Sequence, residues 1–277
     1  MKRYRVVAFD FDSRATTLST EIQSTWEPQV QELWLENKRQ VREGLIAQFG
    51  AREAETKIAN FTELGPKPFS ILAFHNRFST EVRDSFVVGG YYPASAGACA
   101  LGERILNHLI LLLRDDFRHT DQYRHIYRKS SFDNWEVPIS TLEAWGVLLP
   151  DAAAAFRHLA TIRNRAIHFH PETDRNARSL ALEANRLLDQ AILAQFPVMG
   201  LQPWFIPEIA GESYIKREWQ DHPFVRKVYL PNCLQVGPHH AVVSLLPQFR
   251  IQDRDDYPDV DISDEEFRML RHRTAGV

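Results

Sequence analysis

The chain has 277 residues, 44% hydrophobic and 25% charged, with a formal net charge of −3. That balance excludes a disordered chain, a collagen-like or coiled-coil rod and a globally basic nucleic-acid coat. Only Cys99 and Cys233 carry thiols, and neither lies in a C-x-x-C pair, so a disulfide scaffold and a four-cysteine zinc site are excluded. No run reaches the roughly 18 consecutive apolar residues that span a bilayer. The basic N-terminus MKRYRVVAFDFDS has a short apolar run cut by Asp10 and Asp12, unlike a secretory signal. The expectation is a cytoplasmic protein with no membrane contact. The length fits one large domain or two modest ones and permits a sizeable core.

Residues 4–11 (YRVVAFDF) read as one short strand. From Glu27 to Phe49, Val30, Leu33, Trp34, Val41, Leu45, Ile46 and Phe49 recur at helical spacing, and Gly50 is a stop. A second helix is expected over Arg52–Asn60. GPKPF then breaks regularity, residues 69–75 read as a strand, and residues 76–90 run into VVGGYYP, a turn-rich boundary. Ser95–Phe117 carries Ala98, Leu101, Ile105, Leu109 and Leu112 on one stripe, widened by Ile110 and Leu113, which predicts a buried helix. Thr120–Trp135 is polar and basic, and Ser140–Leu148 reads as a short helix. Asp151 suits the N-cap of a helix ending before Pro171, and Asp174–Phe196 is another amphipathic helix. Residues 201–250 hold prolines and the short apolar runs WFIP, FVRKVYL and AVVSLL, read as strands and loops. The acidic stretch 253–266 reads as a solvated tail or interaction arm. The expected organisation is a mixed N-terminal segment (1–90), a helical domain (91–200) and a β-rich appendage with an acidic tail (201–277).

The most informative segment is IRNRAIHFH, residues 162–170. It places Arg163, Asn164 and His168 near the C-terminal end of a helix that follows a long apolar helix and precedes an amphipathic one. Histidine moves protons near neutral pH. Arginine offers phosphate a permanently charged planar fork. Asparagine can orient either group. On an ideal helix Arg163 and His168 stand about 140° apart, so the helix must end or distort near His168, or a second copy must complete the site. Arginine and histidine at this place also suit the helix dipole and can cap its carbonyls without any catalysis.

This motif in this helical setting resembles the HEPN superfamily, all-α domains with many ribonuclease members. The resemblance covers roughly residues 92–196. It implies a mainly α protein with a HEPN-like bundle, flanked by the mixed N-terminal segment and the small β-rich C-terminal element. It further implies a metal-independent endoribonuclease that needs no cofactor and acts as a homodimer with both motifs at one cleft. In such enzymes the RNA 2′-OH attacks the adjacent phosphorus and leaves a 2′,3′-cyclic phosphate. By that match Arg163 stabilises phosphate charge, His168 is general acid or base and Asn164 positions them. The cellular role implied is a toxin, defence or stress-response effector, with a possible inhibitor or activator protein. In the branch paired with a nucleotidyltransferase antitoxin, a modifiable tyrosine lies two residues after the histidine; here that position is His170, a loop residue or second proton carrier. The rival reading is a non-catalytic helical module that binds RNA, a nucleotide or a protein partner.

Glu103, in the apolar helix, matches an acidic residue that some HEPN proteins hold near the catalytic pair; alternatively it faces solvent or forms a structural ion pair. Asn107 and His108, one turn on, can line the same cleft or form a polar strip. Residues 114–129 interleave Arg118, Arg124, Arg128 and Lys129 with aromatic residues such as Tyr127, a pattern that suits single-stranded RNA. Asp115, Asp116 and Asp121 dilute that charge toward an ordinary mixed surface. Other chemistries fit poorly. VVAFDFDS resembles the first motif of haloacid-dehalogenase-like phosphatases, but Ser13-Arg14 breaks the pattern and no doubly wound sheet follows. His222, Cys233, His239 and His240 lack zinc-site spacing, so no metal is expected. No G-x-S-x-G elbow, Walker A loop or dinucleotide fingerprint occurs.

Overall fold

The computed structural model describes residues 1–167, 175–244 and 249–275. The fold is mainly α, with small two-stranded antiparallel sheets. Strand β1 (Arg3–Val6) precedes β2 (Phe9–Asp12). Helices α1 (Arg14–Ser19), α2 (Pro28–Phe49) and α3 (Ala54–Leu64) follow. Pro28 begins α2, where its missing N–H costs nothing, and Gly50 ends it at φ 83°. Strand β3 (Lys67–Ile71) leads to α4 (Asn76–Val87) and the long α5 (Tyr91–Leu113). A 3₁₀ turn at Arg114–Phe117, α6 (Asp121–Ile126) and α7 (Glu136–Ala144) connect to α8 (Pro150–Ile167). Beyond α9 (Ala177–Gln195) come β4 (Cys233–Val236), β5 (Ala241–Ser244), β6 (Arg250–Gln252) and α10 (Asp264–Ala275).

The centre of the molecule is α5, packed against α4, α8 and α9. Ala98, Cys99, Leu101, Ile105, Leu106, Leu109, Ile110 and Leu113 are all buried. By length and composition the span Tyr91–Phe117 is apolar enough to cross a membrane, but half of that window is buried inside the protein, as in a core helix. Opposite it, α8 contributes Phe156, Leu159 and Ile162, while α9 contributes Leu188, Ala191 and Ile192. Each fully buried side chain of this size stabilises the fold by about 1.5–3 kcal/mol.

Several expectations are corrected. Residues 4–11 form two strands because the chain changes partner: β1 pairs with β4, β2 with β3. Between them the Val7 and Ala8 amides both donate to the Asn232 carbonyl. Residues 76–90 are largely α4, whose buried Val82 and Phe86 are too sparse to read as a stripe. FVRKVYL is no strand but includes a π-helical turn at Val225–Tyr229. The acidic stretch is fastened down. Asp253 pairs with Lys2 at 3.3 Å, Asp264 with Arg3 at 2.6 Å, and Asp261 with Arg217. It then enters α10, whose Phe267 is 0% exposed. These acids bind the N-terminal strand and the 217 turn, so they do not shield the basic segment 114–129.

Candidate active site

Arg163 lies on the last described turns of α8 and Glu103 in the middle of α5, where the two helices pack. Arg163 Nη2 forms an ion pair with Glu103 Oε2 at 3.1 Å, with the two side chains 27% and 30% exposed. The Trp135 indole Nε1–H donates to the same carboxylate oxygen at 3.2 Å. The Arg163 guanidinium carbon stands 5.9 Å from the centre of the Trp135 ring, a cation–π distance. Arg163 Nη1 makes one further, long contact of 3.5 Å to the Asp133 carbonyl.

The segment carrying Trp135 is tied to α5 by Asn107. Its side-chain oxygen accepts from the Phe132 amide at 2.9 Å, and its Nδ2 donates to the Glu103 carbonyl at 2.8 Å. Gly102 lets the ring approach. A Cβ there would lie 2.8 Å from both Trp135 Cη2 and Leu159 Cδ2, closer than packed side chains tolerate.

These groups border a cleft of about 400 Å³ lined by Asp133, Trp135, Glu136, Arg157, Arg163 and the exposed Asn164 among others. Asp133 and Asn134 also line a neighbouring cleft of about 540 Å³ with Arg128, Lys129 and Ser130. The two clefts adjoin at these shared residues and are together termed the groove. On the far wall Arg157 is clamped by Glu136 at 2.8 Å and Glu143 at 2.6 Å. Hydrogen bonds to both carboxylates raise its pKa, and the bond from Arg157 lowers that of Glu136. Cys99 feels the positive field of Arg163, yet burial dominates and pushes its thiol up to about 12. It stays protonated at neutral pH and is no nucleophile.

His168 and His170 lie outside the described residues. Of the other expected site residues, Arg163, Asn164 and Glu103 are near one another, and Asn107 supports them. His108 does not join them. It packs edge-on against Phe74 at 4.7 Å, and burial lowers its pKa. Within the basic segment, Arg128 and Lys129 border the groove, whereas Arg118, Arg124 and Tyr127 line neither cleft. Arg118 pairs with Asp115 at 3.1 Å and Arg124 with Asp121 at 3.6 Å, each one helical turn away. Tyr127 stacks on Tyr123 at 5.6 Å and receives the Arg128 guanidinium on its ring at 5.0 Å.

The two aspartates of VVAFDFDS are each engaged in an ion pair. Asp10 is paired with Lys67, and Asp12 with Arg14 at 2.7 Å, on a two-stranded antiparallel sheet unlike a doubly wound one. Among the described residues no group of three or more His, Cys, Asp or Glu side chains converges as metal ligands would. Trp135, Asp133 and Asn134 were not foreseen from the sequence. The one available signal was Gly102 next to Glu103, a glycine and an acid in the middle of a long apolar helix. No family model, curated protein or solved structure matches the chain.

Proposed function

We propose that this protein is a metal-independent endoribonuclease of the HEPN type, built on a HEPN-like bundle of α5, α8 and α9. The observation that carries the reading is a partly exposed arginine of the motif, held at the edge of a groove by a carboxylate and an indole, with Asn164 exposed beside it. Arg163 is then ready to meet charge on a phosphate before the substrate arrives, the condition under which a fixed cation lowers a barrier most. Arg128 and Lys129 further along the groove supply phosphate contacts for a single strand.

The chemistry follows from these roles. The 2′-OH of one nucleotide loses its proton to a general base and attacks the adjacent phosphorus. The bond to the 5′-oxygen of the next nucleotide breaks, and that oxygen takes a proton from a general acid. The products are a 2′,3′-cyclic phosphate and a 5′-hydroxyl. His168 serves as acid or base, Arg163 stabilises the charge on the phosphoryl oxygens, and Asn164 orients the reacting groups. Two protomers bring their motifs together in the active form. The cellular role is that of a toxin, defence or stress-response effector acting on cytoplasmic RNA, under an inhibitor or activator protein.

The Arg163–Glu103 ion pair also favours a second reading, in which the motif only straps α8 to α5 and the module binds RNA or a protein without cutting. Expression separates the two. Wild-type protein is expected to arrest growth and fragment cellular RNA, and His168→Ala to relieve both. Growth arrest that persists in His168→Ala, or intact RNA beside abundant wild-type protein, favours the strap.

A further inference from the structure

We propose that Trp135 is a positioning residue of the cleavage site, locking Glu103 and Arg163 into one rigid unit; the inference rests on the ribonuclease reading above. Trp135 is 3% exposed, so its indole N–H cannot rely on water. It spends that donor on Glu103 Oε2, the same atom that is ion-paired with Arg163 Nη2. The ring face meanwhile carries the Arg163 guanidinium. One side chain therefore restrains the carboxylate through its edge and the arginine through its face.

The indole is itself held. Its ring lies against the bare backbone of Gly102, and the preceding residues are tied to α5 through Asn107. Packing alone would be met by phenylalanine, which has no N–H. The consequence for chemistry lies in what remains loose. Arg163 is fixed by Glu103 and the ring, but its Nη1 contact to the Asp133 carbonyl is long. A phosphoryl oxygen can displace that weak contact without disturbing the other two. The arginine then binds the transition state without first giving up its rotamer freedom.

The test uses the full chain, in EDTA, on a fluorophore-quencher single-stranded RNA of mixed sequence. Trp135→Phe keeps an aromatic face and removes the N–H. Its kcat is expected to fall about ten- to a hundred-fold with KM within about twofold, the signature of misplacement rather than lost binding. Glu103→Gln should fall similarly, and the double variant no further than the worse single, because the residues act as a unit. A second measurement does not depend on turnover. The indole ¹⁵N–H resonance missing in Trp135→Phe should move in both Glu103→Gln and Arg163→Ala. Wild-type kcat in Trp135→Phe, fully additive losses in the double variant, or an indole signal indifferent to Glu103 and Arg163 overturns the proposal. Failure of the ribonuclease reading shows separately, as equal cleavage by wild type and His168→Ala.

Discussion

A surface arginine samples many rotamers, but Arg163 does not, because Glu103 takes one nitrogen and Trp135 takes the face of the guanidinium. Lysine at this place keeps the charge and loses the planar fork. Under the proposed ribonuclease function Arg163→Lys is therefore expected to lower kcat about a hundred-fold or more while leaving the thermal midpoint within a few degrees, read by steady-state cleavage and calorimetry. Unchanged cleavage would mean that a point charge suffices and that the clamp has no catalytic purpose. Arg163 and Asn164 were legible in the sequence because the motif spacing is local, and Glu103 because an acid in an apolar helix demands a partner. Trp135 was not. A single tryptophan in a polar loop has no periodicity, and its bond to Glu103 spans 32 residues.

At the scale of elements, the close approach of α5 to α8 and to the Trp135 ring depends on Gly102. Gly102→Ala inserts a methyl where no space exists and should destabilise the fold by about 1–3 kcal/mol, measured by urea unfolding. The basic segment divides in the same geometric way. Arg128 and Lys129 border the groove, while Arg118 and Arg124 are paired within their own turns. Under the proposed function, replacing Arg128 and Lys129 with alanine should weaken RNA binding and flatten its dependence on salt, because phosphate contacts release counterions. The same change at Arg118 and Arg124 should alter neither, by filter binding across a salt series. Composition could not make this distinction. It revealed the cations but not which of them Asp115 and Asp121 already neutralise. Helix α5 was legible because its apolar stripe is long, whereas α4 was missed because its buried positions include the polar Asn76, Ser79 and Arg83.

Across the whole molecule the two termini meet. Strand β1 pairs with β4, and near them Glu212 forms an ion pair with Arg5 at 3.0 Å and accepts from Arg271 of α10 at 2.6 Å. These contacts join residues far apart in sequence, so no local pattern announces them. Glu212→Ala leaves two buried cations uncompensated and should cost about 3–5 kcal/mol, with α10 losing protection first in hydrogen exchange. His240 completes the cluster. Arg5 Nη1 donates to its Nε2 at 2.6 Å, and its Nδ1–H donates to the Gly237 carbonyl at 2.7 Å. That arrangement requires a neutral ring, and burial lowers its pKa. His75, between Ser70 and Phe196, is pushed down to about 3 by burial, aided by Lys67 and opposed by Asp10. Both histidines bind protons more readily when the chain unfolds. Their contribution is whole above about pH 6.5 and is lost as pH falls toward the folded values, with His75 alone accounting for about 2 kcal/mol by pH 5. His75→Gln should flatten the acid limb of stability against pH; an unchanged limb would assign it to other groups.

The most direct test of the cleavage chemistry is digestion of a mixed RNA pool in EDTA by wild type and by His168→Ala, with the product ends read chemically. The proposed HEPN-type activity predicts EDTA-resistant cutting that leaves 2′,3′-cyclic phosphates and 5′-hydroxyls, lost in the variant. Cutting of equal strength by both proteins, or RNA bound and left whole by wild type, would contradict it.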